Sequence, residues 1–71
     1  MLKEFHKACQ NIVDNQEEKA LNWAVNYAKH GLTITELYEA KIQGLYILNN
    51  MTRWRGELAK ETRAILKKLT K

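Results

Sequence analysis

Residues 21–51 read LNWAVNYAKHGLTITELYEAKIQGLYILNNM, and the fold turns on this stretch. Leu21, Ala24, Val25 and Ala28 recur at spacings of three and four, a narrow helical stripe with Trp23 and Tyr27 alongside. Lys29 and His30 follow where a helix C-terminus favours cations, and Gly31 is placed to supply a left-handed terminating residue. Thr33-Ile34-Thr35-Glu36 has the form of a capping box opening a further helix. The apolar set of that helix, Leu37, Tyr38, Ile42, Leu45, Leu48 and Met51, is widened by Tyr46 and Ile47. A helix apolar around so much of its girth belongs at the centre of a core or in a subunit interface. The stretch therefore predicts a helical hairpin.

Working outward, Leu2, Phe5, Cys9, Ile12 and Val13 form one face of a preceding helix, with His6, Lys7, Gln10 and Asn11 on the other. Asp14-Asn15-Gln16 stops that pattern and offers an N-cap for the second helix, whose first turn then holds Glu17 and Glu18. On the C-terminal side, Leu58, Thr62, Ile65, Leu66 and Leu69 share a face. Whether that segment continues the third helix depends on Gly56, since a glycine within a helix costs only about 1 kcal/mol relative to alanine. The apolar stripe drifts around the axis between Ile42 and Trp54, which favours a bend or break between Asn49 and Gly56. With no proline and glycine only at 31, 44 and 56, the chain reads as all-α: a small three- or four-helix bundle. Its helices are expected over about residues 3–13, 16–30, 34–53 and 57–69, in a single domain over 1–71. Short connections make sequential helices antiparallel neighbours. The expected core is Leu21, Val25, Leu37, Ile42, Leu45, Leu48, Leu58, Ile65 and Leu69.

Charge is unevenly placed. Residues 53–71 carry seven of the twelve Lys/Arg and only Glu57 and Glu61, whereas residues 1–52 hold five bases and six acids. A segregated basic end attracts a polyanion or an acidic protein face over about 8–10 Å at ordinary salt. A chain of 71 residues buries only about 60% of its unfolded surface, and its single Cys9 excludes an internal disulfide. Self-association is the simplest way to bury more, so a homodimer is expected. A lone thiol, the absence of a membrane-length apolar run and a charged N-terminal stretch point to the cytoplasm and away from membranes.

No constellation of residues suggests an enzyme, a metal or a cofactor. His6 and Cys9 stand at i, i+3, and His30 is the only other histidine; a closed zinc site needs four such ligands. There is no Gly-rich phosphate loop and no serine at all. The Gly31 turn has the length of a helix-turn-helix, but Thr35, Glu36 and Glu39 would place acids against phosphates. Two surfaces remain. Tyr38, Tyr46, Ile47 and Trp54 compose an apolar surface suited to a protein partner, since Trp and Tyr dominate interface hot spots. Lys60, Arg63, Lys67 and Lys71 align on a helical stripe, and Arg53 and Arg55 flank Trp54, a set that suits phosphates with base stacking.

Tyr46-Ile47-Leu48-Asn49-Asn50-Met51, then Trp54-Arg55-Gly56 and Ala59-Lys60-Glu61, resemble short open reading frames of temperate phages and prophages of Gram-positive bacteria. The resemblance implies a small intracellular protein that binds a host or phage macromolecule and modulates it. It carries over no catalytic or binding residue.

Overall fold

The computed structural model describes residues 1–71, all of its regular structure being helical. The α-helices are α1 (Leu2–Asp14), α2 (Ala24–Gly31), α3 (Leu37–Asn49) and α4 (Glu57–Leu69), with one 3-10 turn over Lys19–Leu21 between α1 and α2. Each helix packs on its neighbour in sequence, and α4 closes the ring on α1. The pairings are antiparallel. Trp23 lies by Asn49 and Tyr27 by Tyr46 across α2 and α3, while Glu4 lies by Lys68 and Asn11 by Thr62 across α1 and α4.

Helix α1 behaves as its periodicity requires. Phe5, Ala8, Cys9 and Ile12 are fully buried, and burying side chains the size of Phe5 and Ile12 stabilises the fold by about 1.5–3 kcal/mol each. Asn15 ends the helix, its amide donating to the Asn11 carbonyl at 2.8 Å. On one flank of the buried stripe Asn11 donates to the buried Thr62 hydroxyl of α4 at 3.1 Å, and on the opposite flank His6 Nε2 donates to the Ile34 carbonyl at 2.7 Å.

The second helix is shorter than its expected span of 16–30. Residues 16–23 form turns and the 3-10 segment, with Glu18 extended and its carboxylate accepting from the Ala20 amide at 3.4 Å. Gln16 to Lys19 offer no apolar side chain to bury, and a helical turn without packing is not stable by itself. Leu21, fully buried, pins the segment to the core.

Gly31 is the last residue of α2 and is not left-handed; the only positive φ in the chain is at Gly56. Its role is proximity, since a Cβ there would lie 2.6 Å from Cys9 Sγ and 3.1 Å from Phe5 Cζ. The expected capping box is not formed either. Thr33 donates its hydroxyl to the His30 carbonyl at 2.7 Å, closing α2, and Glu36 precedes α3 with no side-chain cap.

The break between Asn49 and Gly56 is present. Gly56 sits at φ 111°, ψ 175°, a conformation open to glycine alone, and α4 starts at the next residue. The connector is built into the core by Met51, fully buried, and Trp54, 6% exposed.

Within the core, Leu21, Val25 and Leu69 are buried as expected, and Leu48 and Ile65 are partly so. Leu37, Ile42, Leu45 and Leu58 are not core residues; each is exposed over a third or more of its surface. Phe5, Ile12, Ile47, Met51 and Leu66 take their place. No buried side-chain polar atom lacks a hydrogen-bond partner.

Candidate functional site

The inward side of α3 is the side with small residues. Ala40, Gly44 and Ile47 are buried, a spacing of i, i+4, i+7, and Met51 continues that row beyond the helix. At Gly44 the α3 backbone comes so close to α4 that a Cβ would meet Thr70 Cγ2 at 3.1 Å and Leu69 Cδ2 at 3.6 Å. With about 100° between successive residues, this rotation sends Tyr38, Ile42, Leu45 and Tyr46 outward. Leu45 is 50% exposed, Tyr46 49% and Tyr38 75%.

Helix α2 extends this surface. Tyr27 stacks on Tyr46 with ring centroids 5.5 Å apart and planes 18° from parallel. Gln43 Nε2 donates to the Tyr27 carbonyl at 2.8 Å and holds the two helices in register. One turn before Tyr27, Trp23 is 74% exposed and stands in a shallow cleft of about 440 Å³. The cleft is lined by Lys19 and Arg53, both exposed, and by Asn22, Asn49 and Asn50. Trp23, Tyr27, Tyr46, Ile42, Leu45 and Tyr38 thus form one aromatic and aliphatic face across α2 and α3.

Of the residues expected at a protein interface, Tyr38 and Tyr46 lie on this face, but Ile47 and Trp54 do not. Ile47 is fully buried, because it belongs to the small-residue row that packs inward. Trp54 is buried, because the connector that carries it packs into the core and does not run over the surface. Ile42, Leu45, Trp23 and Tyr27 were not among the expected interface residues. The signal for them was the all-round apolarity of α3 and the Trp23/Tyr27 pair beside the narrow α2 stripe.

The basic residues divide similarly. Arg53, Arg55, Lys60, Lys67 and Lys71 are exposed. Arg63 is half-buried, its Nη2 donating to the Trp54 carbonyl at 2.8 Å and the Met51 carbonyl at 3.3 Å. It is occupied as a clamp on the connector and does not stand free on the basic stripe. The outer N-terminal part of α3, where a recognition helix would present cations, carries Tyr38, Glu39 and Ile42 instead.

Elsewhere no group of three His, Cys, Asp or Glu is placed to hold a metal ion. His6 is engaged with Ile34, and burial pushes the Cys9 thiol up to about 12, leaving it protonated and poorly nucleophilic. No helix is long and apolar enough to cross a membrane. Comparison with protein-family profiles, curated proteins and solved structures finds no match to the chain.

Proposed function

We propose that this chain is a non-enzymatic interaction protein of phage or mobile-element type that works in the cytoplasm by docking a protein on its α2/α3 face. The observation that carries the reading is the exposure of Trp23, Tyr27, Tyr38, Ile42, Leu45 and Tyr46 on adjoining sides of α2 and α3, joined by the Tyr27–Tyr46 stack. Large contiguous apolar surface is uncommon on a monomer and marks association sites. The aromatic anchors and polar rim match the anatomy of a protein interface. The reading is tested by truncating Tyr38 and Tyr46 to Ala. Both variants should keep the helical circular-dichroism signal and lose capture of proteins retained by the wild type from a nuclease-treated Gram-positive lysate. Unchanged capture together with unchanged self-association would overturn it.

A second reading is supported by a separate observation: Arg53, Arg55, Lys60, Lys67 and Lys71 are exposed, and none is in an ion pair. Such a set would bind single- or double-stranded nucleic acid through phosphates, with affinity falling by roughly 0.7–0.9 log unit per contacted phosphate per decade of salt. It ranks second because Arg63 is occupied and Glu57 and Glu61 are exposed on the same helix. A mobility shift at low salt that vanishes in Lys60→Glu/Lys67→Glu would favour it. The absence of any shift would remove it.

A further inference from the structure

We infer that the occupant of the α2/α3 face is a second copy of this chain, docked with the two α3 helices antiparallel across a two-fold axis; the inference rests on the reading of that face as protein-binding. Tyr38, Ile42, Leu45 and Asn49 follow at intervals of four, three and four residues, the spacing of a two-helix seam. Paired antiparallel, the seam is self-complementary. Ile42 of one copy lies against Leu45 of the other beside the axis, and Tyr38 of each reaches the cleft between Trp23 and Asn49 of the other. Every contact is made twice, as an isologous interface requires.

Charge selects the same arrangement. The Trp23 cleft, at the C-terminal end of α3, is rimmed by Lys19 and Arg53 and has no carboxylate among its lining residues. At the opposite end of α3, Glu36 and Glu39 are exposed. Glu39 shares a row with Gln43 and Tyr46 (i, i+4, i+7), and this is the row that touches α2. A two-fold axis perpendicular to α3 keeps the α2 helices of both copies on one side of the seam. Glu39 of one copy is thereby brought to the Lys19/Arg53 rim of the other, whereas a parallel pairing would oppose like charges at each end.

The exposed area sets an upper limit of the right order. At about 200 Å² per aromatic side chain, the exposed fractions of Trp23, Tyr27, Tyr38 and Tyr46 amount to roughly 500 Å². Ile42, Leu45 and the charged rim bring this near the roughly 800 Å² per partner of a standard stable interface.

Sedimentation equilibrium of the full chain tests the assignment. The wild type should have twice its 8.3 kDa chain mass, and Leu45→Glu should sediment at the single-chain mass with its helical signal unchanged. The charge-reversed variants Glu36→Lys/Glu39→Lys and Lys19→Glu/Arg53→Glu should each self-associate about tenfold or more weakly than wild type. Mixed in equal amounts, they should form a heterodimer, because every end contact is then between opposite charges. A wild type that stays at 8.3 kDa up to about 1 mM overturns the inference. So does a dimer indifferent to Leu45→Glu, or a mixture no tighter than its components. If the wild type is monomeric but Leu45→Glu abolishes capture of another protein, self-docking falls and the protein-binding reading stands. If Leu45→Glu changes neither mass nor capture, both fall.

Discussion

Gly31 and Gly44 both sit where two helices come close, yet their replacement should have different consequences. A Cβ on Gly31 meets the Cys9 sulfur at 2.6 Å, with Phe5 behind it, and all of these groups are buried. Gly31→Ala should destabilise the protein by about 1–3 kcal/mol in denaturant unfolding. Adding Cys9→Ala should recover part of that loss, a positive coupling in a double-mutant cycle. The Cβ of Gly44→Ala is crowded only by the Thr70 methyl at 3.1 Å, at the end of α4 where the chain can yield, and meets Leu69 and Leu66 at ordinary contact distances of 3.6 and 3.7 Å. Its gain in helix propensity of up to about 1 kcal/mol should leave it neutral or slightly stabilising. Cys9 also carries a pH signature. Its folded value of about 12 lies above the usual 9.0, so the fold favours the neutral thiol. That contribution is complete below the unfolded value and is lost as pH rises through it toward the folded one. Relative to Cys9→Ala, the wild type should therefore lose roughly 1 kcal/mol of stability between about pH 8 and pH 10.

At the level of elements, the connector over residues 50–56 has more to hold it than its length suggests. Met51 and Trp54 are buried, Gly56 takes the conformation that lets α4 begin, and Arg63 donates to two connector carbonyls. Removing them leaves the Trp54 carbonyl without its partner, while the Met51 carbonyl keeps the Trp54 amide at 3.1 Å, so Arg63→Met should cost about 1–3 kcal/mol. Lys67→Met, one turn further along α4 and exposed, should change stability by less than about 0.5 kcal/mol. Thermal melts of the two variants distinguish a clamp from a solvated cation, and equal effects would contradict the assignment of Arg63. The α1–α2 segment is the opposite case. Its polar residues 14–19 are mostly exposed, with the next anchor in the core at Leu21, so its amides should exchange faster than those of α1 or α4.

For the whole molecule, a small core and a large uncovered apolar face belong together. The helices bury their stripes around Phe5, Ile12, Leu21, Ile47, Met51 and Leu66, while the larger apolar side chains of α3 stay in solvent. If a second copy covers them, stability is linked to concentration. The wild-type melting temperature should then rise as chain concentration is raised, while that of Leu45→Glu should stay flat. Parallel behaviour of the two would separate the face from self-association.

The helical class, the four helical segments, the interruption before Gly56 and the extent of α4 were legible in residues 1–71 alone, because they follow from local properties. These are 3.6-residue periodicity, the absence of proline, and a glycine where the stripe loses phase. The start of α2 was less legible, since residues 16–19 have no apolar side chain to hold a helical turn against the core, and so was the start of α3, since Thr33 can cap one helix or close the other and the outcome depends on which carbonyl is near. The side of α3 that faces inward was not legible. Its apolar residues surround the axis, so hydrophobicity does not orient it. Close approach to α4 at Gly44 does, turning the row of Ala40, Gly44 and Ile47 inward and the row of Ile42 and Leu45 outward. The same choice buried Ile47 and left Tyr38 and Tyr46 outside. Only the packed structure could decide this, because the criterion is the space between two helices distant in sequence and not the character of either helix alone.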